Sequence, residues 1–251
     1  MSTGPASGTL EEPQVRAMFD RIAGVYDLMN SVMTAGMHHR WRRRAVDLAR
    51  VGPGDSVLDV ATGTGDLALE LAARVMPGGE VVGSDFSEEM LDRARVKEPG
   101  IEWEWANAME LPYESGRFDA VTVGFGARNF SDLDQGLSEM VRVTRPGGRV
   151  VVLEITTPTK PPLSTFFEAW FDTIVPHLGK VAGYPDAYEY LPSSVRRVPD
   201  APELAARLVG ELHRVGPLPL DPRLLYAGAV EHLLGEVRAD HLAAGHHARG
   251  E

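Results

Sequence analysis

The chain has 251 residues, a formal net charge of −11 and no cysteine. This length suits one α/β domain with additions, and the negative charge argues against a nucleic-acid partner, which needs a basic face to neutralise phosphates. Without cysteine, disulfides and thiolate metal sites are excluded. Since no apolar run of about 18 residues and no leader of basic then apolar residues is present, we expect no membrane span, no secretion signal and a cytoplasmic protein.

The first part of the chain predicts helices that precede the sheet and cap it. Residues 1–12 are rich in small residues, glycine and proline, which favours a disordered lead-in. A helix is predicted next from apolar residues at helical spacing, namely Val15, Met18, Phe19 and Ile22. Residues 26–36 are mixed and turn-rich. The following helix has an apolar face of Trp41, Ala45, Leu48 and Ala49, with Arg40, Arg42, Arg43 and Arg44 mostly on its other faces.

From residue 56 onward, strands alternate with helices. The predicted strands are 56–60, 80–84, 102–105, 119–124 and 149–155, and the predicted helices are 66–75, 88–95 and 132–143. This alternation is typical of a doubly wound, mostly parallel sheet that binds ligands at the carboxyl ends of its strands. Asp59, Asp85, Asn107 and Gly124 fall at or just past such ends. We therefore expect them to share one site.

The most informative segment is the glycine turn that follows the first strand. A buried strand, the turn Thr62-Gly63-Thr64-Gly65, a helix and then Asp85 behind a second apolar run form the layout of a nucleotide-binding βαβ unit. In such a unit the acidic residue accepts hydrogen bonds from ribose hydroxyls. The ligand should therefore contain a ribose.

Two features favour S-adenosylmethionine as that ligand over a nicotinamide cofactor, although Gly63-x-Gly65-x-x-Ala68 also satisfies the relaxed dinucleotide pattern. Asp59 lies inside the first strand, where it can brace the turn and face a cationic methionine end. About 50 residues precede that strand, whereas dinucleotide folds usually begin with it. The alternative is a strand-to-helix turn without a ligand, which would leave Asp59, Gly63, Gly65 and Asp85 to be explained separately.

Residues 156–190 interrupt the alternation with prolines and a helical insertion rich in aromatic residues. Its apolar residues are Phe166, Phe167, Trp170, Phe171 and Ile174. Such a surface is more often core than a cofactor-binding element. It is also where a methyltransferase would build an apolar wall for its substrate, and both interpretations stay open.

Several motifs between residues 14 and 208 resemble those of one family. They are Tyr26-Asp27-Leu28-Met29-Asn30 with His38 and Trp41, the run from Asp59 to Asp66, Asn107-Ala108-x-x-Leu111-Pro112, the run from Gly124 to Asn129, the run from Arg142 to Gly148, and Tyr190-Leu191-Pro192-x-Ser194-Val195. The chain thereby resembles the ubiquinone/menaquinone biosynthesis C-methyltransferases, UbiE/MenG type, within the class I S-adenosylmethionine-dependent methyltransferases. The resemblance implies the Rossmann-like fold of that class.

The resemblance also implies which residues contact the cofactor. It places Thr64 at the amino-acid portion, Asp85 at the ribose, Asn107 and Ala108 at the adenine edge, and Gly124 beside the methionine end. These contacts add to the Asp59, Gly63 and Gly65 set that the glycine turn suggests. For Asn107, a purely local role in a turn is the alternative.

The implied reaction is methylation of a ring carbon on a polyprenyl hydroquinone, most simply demethylmenaquinol to menaquinol, and it requires no metal. Candidates for the catalytic roles are Tyr26, Asp27, His38, Arg128 and Asn129. Since Arg128 does not readily lose its proton, we expect it to hold an oxygen anion or to orient a water. Tyr26 or His38 is the better proton acceptor. The alternatives are a packing role for His38 and an ion pair between Arg128 and a helix-end acid.

The expected partner is a lipophilic quinol or aromatic small molecule. The arginine cluster from Arg40 to Arg44 would suit anionic lipid headgroups at the inner face of the membrane, or simply a solvated helix face. A homodimer is left open. The histidines after residue 210, namely His213, His232, His241, His246 and His247, lack metal-ligand spacing.

After about residue 208 the resemblance ends, so residues 13–210 are assigned to the methyltransferase domain and 211–251 to a divergent segment. The stretch from Leu224 to Val237 suits either a strand at 228–230 or a helix. Two other functions stay open at this point. One is C-methylation of an aromatic or polyketide secondary metabolite, and the other is an inactive cofactor-binding subunit of a quinone-biosynthesis assembly.

Overall fold

A computed structural model describes residues 12–34, 36–157, 161–175, 177, 185–215 and 225–228. Within them a sheet forms in the order β3-β2-β1-β4-β5-β6, and every pairing is parallel. Its strands are β1 (Ser56–Val60), β2 (Glu80–Asp85), β3 (Glu102–Trp105), β4 (Phe118–Gly124), β5 (Thr144–Glu154) and β6 (Leu225–Gly228). The predicted α/β class with a parallel sheet is confirmed.

Helices cover both faces of this sheet. They are α1 (Glu12–Ile22), α2 (Tyr26–Met33), α3 (Met37–Ala49), α4 (Asp66–Val75), α5 (Glu88–Lys97), α6 (Leu133–Val143), α7 (Leu163–Ala169), α8 (Pro185–Arg197) and α9 (Ala201–Val215). A 3₁₀ turn spans Ala127–Asn129, and a π-helical segment, Trp170–Ile174, continues α7.

Alternate residues of each strand enter two separate cores, which makes the sheet doubly wound. Val57 of β1 lies in the core formed with α1 to α5, whereas its neighbour Leu58 lies in the core formed with α6 and α9. Successive side chains of a strand point to opposite faces, so each strand contributes to both layers. The α3 helix packs against β4 and β5 as part of one layer, while α1 and α2 lie against α5 and α3.

The turn-rich prediction for residues 26–36 was wrong, because Tyr26–Met33 is helical. Met29 is buried in the core, and burial of this kind overrides a weak local pattern. The hydroxyl of Ser31 also donates to the carbonyl of Asp27 at 2.9 Å, and that of Thr34 to the carbonyl of Asn30 at 2.7 Å. Both bonds span four residues, which is the spacing of a helical turn.

Strand β5 begins five residues earlier than the predicted strand 149–155, at Thr144 rather than Arg149. Thr144 pairs with Phe118, and the pairing shifts register before Ala120 meets Arg149. The residues Pro146-Gly147-Gly148 lie at this register shift, inside the strand but between the two paired positions.

Both chain ends extend beyond the described residues. Of the two conformations left open near residue 224, the structure contains a strand, Leu225–Gly228, which adds to the sheet beside β5. The predicted strand position 229–230 and residues 1–11 of the predicted lead-in 1–12 lie outside the described residues, whereas Glu12 is the first residue of α1. No helix in the described part of the chain is long and apolar enough to cross a membrane.

The aromatic segment after β5 divides into a buried and an exposed side. Phe167 and Phe171 are buried in the core and stack with ring centroids 4.2 Å apart. Phe166 and Ile174 are exposed, and the indole nitrogen of Trp170 donates to the carbonyl of Met33 at 3.1 Å. The prediction of core packing therefore holds for the buried pair.

Candidate active site

A cleft of about 620 Å³, measured out to its open mouth, lies at the carboxyl ends of the central strands. Its walls come from the turn after β1, the end of β2, the loop after β3, the loop after β4, and the helices α1 and α2. The residues from these elements include Gly63, Asp85, Asn107, Ala108, Gly126 and Tyr26. The position at the carboxyl edge of a parallel sheet is the one expected for a ligand.

Asp85 is the acidic group of this cleft and also holds the backbone around it. Its carboxylate accepts hydrogen bonds from the amides of Gly63, at 2.8 Å, and Ser87, at 2.9 Å. Burial raises the pKa of Asp85 to about 6, although these amides work in the opposite direction. The carboxylate lines the cleft and can accept further hydrogen bonds, as a ribose-binding acid must.

Gly63 and Gly65 both have positive φ, of 57° and 85°, but only Gly63 lines the cleft. A side chain at Gly63 would lie 3.6 Å from Tyr26 Cε1, so the turn runs directly beneath the tyrosine ring. A side chain at Gly65 would lie 2.4 Å from Trp103 Cη2. Gly65 thus serves the turn through close packing, which was not foreseen.

Asp59 lies behind the turn rather than in the cleft. Its carboxylate is buried and accepts hydrogen bonds from the hydroxyls of Thr62 and Thr122, each at 2.6 Å. Burial raises the pKa of Asp59 to about 6, with the two hydroxyls opposing the shift. This arrangement matches the predicted bracing of the turn.

The hydroxyl of Thr64 belongs to a charged network that holds α2 over the turn. It donates to Asp27 at 2.6 Å, and Lys97 Nζ lies 2.9 Å from it. Lys97 is also paired with Asp27 at 2.6 Å and Asp66 at 2.7 Å. Thr64 is absent from the residues that line the cleft. Its hydroxyl contacts the helix above, and its contact with the cofactor stays a prediction.

Arg42 belongs to this network as well. It therefore does not lie on the surface with the other arginines of the predicted cluster from Arg40 to Arg44. Its guanidinium pairs with Asp66 at 2.9 Å and is buried, whereas Arg40 and Arg43 are exposed. Burial disfavours ionisation of Asp66, but Arg42 and Lys97 outweigh it and lower the pKa of Asp66. Of the predicted arginine cluster, Arg42 is therefore a buried partner in the network, whereas Arg40 and Arg43 lie on the surface.

In the loop after β3, Asn107 makes a local turn and also lines the cleft, and its contact with the adenine edge stays a prediction. Its side-chain oxygen accepts from the amide of Met109 at 3.0 Å, which makes a local turn. Asn107, Ala108 and Met109 also line the cleft. After β4 the lining residues are Phe125 and Gly126 rather than the predicted Gly124, which precedes them by one and two positions.

A second cavity, of about 370 Å³, adjoins the cleft. It is mostly apolar, with walls from α1 and α2 and polar side chains that include Arg128 and Tyr190. Phe19, Tyr26 and Asn129 line both cavities. These side chains therefore form the boundary between a polar cleft and an apolar pocket.

Arg128 lines the second cavity and forms a buried ion pair. Its side chain is 6% exposed, and Nη1 lies 2.6 Å from Oε1 of Glu154, which is fully buried at the end of β5. Glu154 also accepts from the amides of Arg128, at 3.1 Å, and Ile155, at 2.9 Å. Burial would lower the pKa of Arg128, but Glu154 and Tyr26 raise it. Arg128 is thus a cation whose acidic partner comes from a strand end, not a helix end.

His38 is not part of either cavity. It is buried in the first turn of α3, where Nδ1 lies 2.6 Å from the hydroxyl of Thr34. Burial and the nearby Arg42 lower the pKa of His38 to about 4. Of its predicted roles, the geometry favours packing over proton transfer.

Several residues of the site were not identified from the sequence. Glu154, Tyr190, Asn30 and Phe19 contact the cavities or their charged groups. Tyr190 and Asn30 stand in motifs that carry the family resemblance, so their motif membership was the available indication. Phe19 was predicted only as a buried helix residue, and Glu154 offered no indication beyond its place at a strand end.

Comparison with known proteins agrees with this geometry. A model of the ubiE/COQ5 methyltransferase family matches residues 8–211. The chain is 49% identical over 191 residues to the demethylmenaquinone methyltransferase of Thermus thermophilus, covering 74% of this chain and 86% of that protein. It is 43% identical to the ubiquinone/menaquinone biosynthesis C-methyltransferase UbiE of Geobacter sulfurreducens, covering 77% and 78%.

A similar fold is found among solved structures. The crystal structure of a putative S-adenosyl-L-methionine-dependent methyltransferase from Methanococcus maripaludis aligns with a TM-score of 0.55, covering 85% of this chain and 89% of that one. The two sequences are 15% identical, so this likeness concerns the fold.

Proposed function

The chain belongs to the ubiE/COQ5 methyltransferase family, and from this we propose that it methylates a ring carbon of a prenylated hydroquinone, demethylmenaquinol, using S-adenosylmethionine. The observation that carries the proposal is the pair of adjoining cavities. One is a polar cleft at the strand ends, the other is apolar, and Phe19, Tyr26 and Asn129 line both. A transfer between a nucleoside cofactor and an apolar substrate needs such a shared boundary.

Within the cleft, we assign the ribose to Asp85 and the adenine to Asn107 and Ala108. The methionine end would lie along Gly63 and Gly126, above the turn that Asp59 braces. The acceptor oxygens of Asp85 fit the hydroxyl groups of a ribose. S-Adenosylmethionine supplies the electrophilic methyl group.

Within the second cavity, the residues must orient the quinol and manage one proton. When the ring oxygen beside the reacting carbon loses its proton, its electron density moves onto that carbon. The carbon would then take the methyl group as the carbon–sulfur bond breaks and leaves a thioether. Loss of the ring proton from that carbon and return of a proton to the ring oxygen restore the hydroquinone, so that one proton is released overall. We assign stabilisation of the oxygen anion to Arg128, and positioning at the boundary to Tyr26 and Asn129. Positioning alone can contribute about 7–11 kcal/mol.

The direct test is methyl transfer to a short-chain demethylmenaquinol. We expect the purified protein to convert this quinol and S-adenosylmethionine to the singly C-methylated product, detected by mass spectrometry. A strain that lacks the gene should accumulate the demethyl quinone in its lipids, and the wild-type gene should reverse this. Normal menaquinone in the deletion strain would contradict the proposal and favour an aromatic secondary metabolite as substrate.

We also propose that α7 contacts the lipid surface in which a prenylated substrate resides. Phe166, Trp170 and Ile174 recur at four-residue intervals, and Phe166 is 63% exposed. Trp170 bonds to Met33, which lines the second cavity, so this stripe lies beside that cavity. Amphipathic helices bind membranes through such apolar faces.

Vesicle sedimentation tests this contact. We expect the protein to co-sediment with vesicles of phosphatidylcholine and phosphatidylglycerol, and Phe166→Glu to weaken that binding about tenfold, because a charge replaces buried apolar area. The matched control is Val96→Glu on α5, since Val96 is 84% exposed and lies on a different helix. Equal binding by both variants would contradict a role for α7.

A further inference from the structure

One buried polar group of the second cavity has no hydrogen-bond partner in the described part of the protein. Asn30 is 7% exposed and lines this cavity from α2, and its Nδ2 has no hydrogen-bond partner among the described residues. Buried polar groups in folded proteins are nearly always paired, because an unpaired donor has lost its water without compensation. An amide left in this condition inside a cavity indicates a ligand that supplies the missing acceptor.

Four other polar side chains of this cavity, those of Arg128, Asn129, Tyr190 and Ser194, have partners within the protein. Arg128 pairs with Glu154, and Asn129 Oδ1 accepts from the hydroxyl of Tyr190 at 3.0 Å. That hydroxyl in turn lies 3.1 Å from Arg197 Nη2. Ser194 also has an interaction within the protein. The amide of Asn30 therefore differs from its neighbours in this cavity.

The position of Asn30 on α2 indicates which part of a substrate it would meet. Tyr26 belongs to the boundary with the cofactor cleft, whereas Asn30 lines the second cavity alone. The two lie four residues apart on one helix, so Asn30 is displaced by about 6 Å along the helix axis from Tyr26. The reacting carbon must be at the boundary. Asn30 consequently meets an atom on the remote side of the ring.

We propose that the amide of Asn30 donates a hydrogen bond to the quinol oxygen that is remote from the methylated carbon, and so holds the ring with its one unsubstituted quinol carbon at the boundary between the two cavities. This inference rests on the proposed function. In demethylmenaquinol one oxygen is next to the reacting carbon and supplies its electron density. The other is next to the prenyl chain and is not conjugated to that carbon in the same way. A hydrogen bond to this second oxygen orients the ring without taking part in proton loss.

The variant Asn30→Leu tests the proposal, because leucine has the same number and branching of side-chain heavy atoms and no donor. With a short-chain demethylmenaquinol we expect KM to rise about 3- to 10-fold, the loss of one hydrogen bond, and the affinity for S-adenosylmethionine to stay unchanged. With a substrate that lacks only the hydroxyl beside the prenyl chain, the variant and the wild type should have the same KM. Ser31→Ala, on the same helix but outside both cavities, is the control and should match the wild type.

A stability measurement separates substrate recognition from a structural role. Because Asn30→Leu removes an unpaired buried amide, the melting temperature of the substrate-free protein should be equal to or above that of the wild type. A lower melting temperature with an unchanged KM would overturn the proposal and make Asn30 a structural residue.

Binding of the quinol without S-adenosylmethionine, followed by tryptophan fluorescence, distinguishes the two levels of the hypothesis. If the wild type binds the quinol and Asn30→Leu binds it more weakly, the result supports the role of Asn30 independently of turnover. Equal binding by the two proteins overturns that role alone. If the wild type neither binds nor methylates the quinol, the proposed function fails together with this inference.

Discussion

Replacing Arg128 with alanine should lower both the stability of the protein and its turnover. Arg128 and Glu154 form an ion pair in which the side chains are 6% and 0% exposed. Removing one partner of such a pair leaves an uncompensated charge in the interior, which typically costs about 3–5 kcal/mol. We expect the variant to melt well below the wild type in thermal denaturation at neutral pH.

The loss of turnover should exceed what the loss of stability explains. If the guanidinium stabilises the oxygen anion that develops on the quinol, its effect is larger in the transition state than in the ground state. We therefore expect kcat to fall about 10²-fold or more, comparable with losing one oxyanion donor, while KM changes little. Single-turnover methylation at a temperature where the variant is folded measures this directly.

A double variant separates the two effects. In Arg128→Met with Glu154→Gln, the charges are removed together, and the glutamine oxygen can still accept from one of the two backbone amides, of Arg128 and of Ile155, that bond to separate oxygens of Glu154. Stability should recover, since replacing a whole buried ion pair is often neutral, but turnover should stay low. Arg128→Lys should recover only part of the turnover, because an ammonium cannot reproduce the planar fork. Wild-type turnover in the double variant would show that Arg128 is purely structural.

The sheet and its ligand-binding edge were predictable because they depend on local patterns. Short apolar runs, separated by segments with helical periodicity, predicted the strands β1 to β4. The glycine turn predicted that Asp85 lies at the ligand-binding edge of the sheet. In the structure Asp85 and Asn107 both line the cleft. Parallel strands bring their carboxyl ends to one edge, so a residue placed at a strand end is placed in space as well.

The partners of the site residues could not be predicted, because they depend on which elements become neighbours. Arg128 pairs with Glu154, 26 residues away, and Thr64 bonds to Asp27, 37 residues away. The hydroxyl of Thr64 is thereby bonded to α2, a contact that its local sequence does not indicate. Helix α2 itself was missed for the same reason, because its stability comes from burial of residues such as Met29 against distant helices.

Loss of Asp85 should weaken the binding of S-adenosylmethionine. Removing a hydrogen bond to a charged group costs about 1–3 kcal/mol, which corresponds to a 5- to 150-fold rise in Kd. The Asp85→Ala variant should reach this range in calorimetric titration. Asp85→Asn should lose less, because it keeps one oxygen acceptor for the amide of Gly63, which lies 2.8 Å from the wild-type carboxylate.

The pH dependence of binding offers a sharper test of the same residue. Burial raises the pKa of Asp85 to about 6, and ribose hydroxyls donate to the ionised carboxylate, so the cofactor should bind best above that pH. We expect wild-type Kd to be constant between about pH 7 and 8 and to rise up to tenfold per unit below pH 6. Asp85→Asn should lose this dependence. Asp59 serves as the control, because burial raises its pKa to about 6 as well. The Asp59→Asn variant should keep the pH dependence of cofactor binding.

As the pH falls, ionisation of Asp85 should affect the stability of the unliganded protein and its affinity for the cofactor in opposite directions. Since the folded-state pKa of Asp85 lies above the ordinary value of 3.8 for an aspartate, the protonated form is favoured in the folded protein. The contribution of Asp85 to stability is therefore complete below about pH 4 and is lost as the pH rises through about 6. Relative to Asp85→Asn, the wild type should gain melting temperature between pH 7 and 5 while it loses cofactor affinity. If affinity and relative stability fell together, the weaker binding would reflect unfolding of the site, and Asp85 would not be the group that binds the ribose.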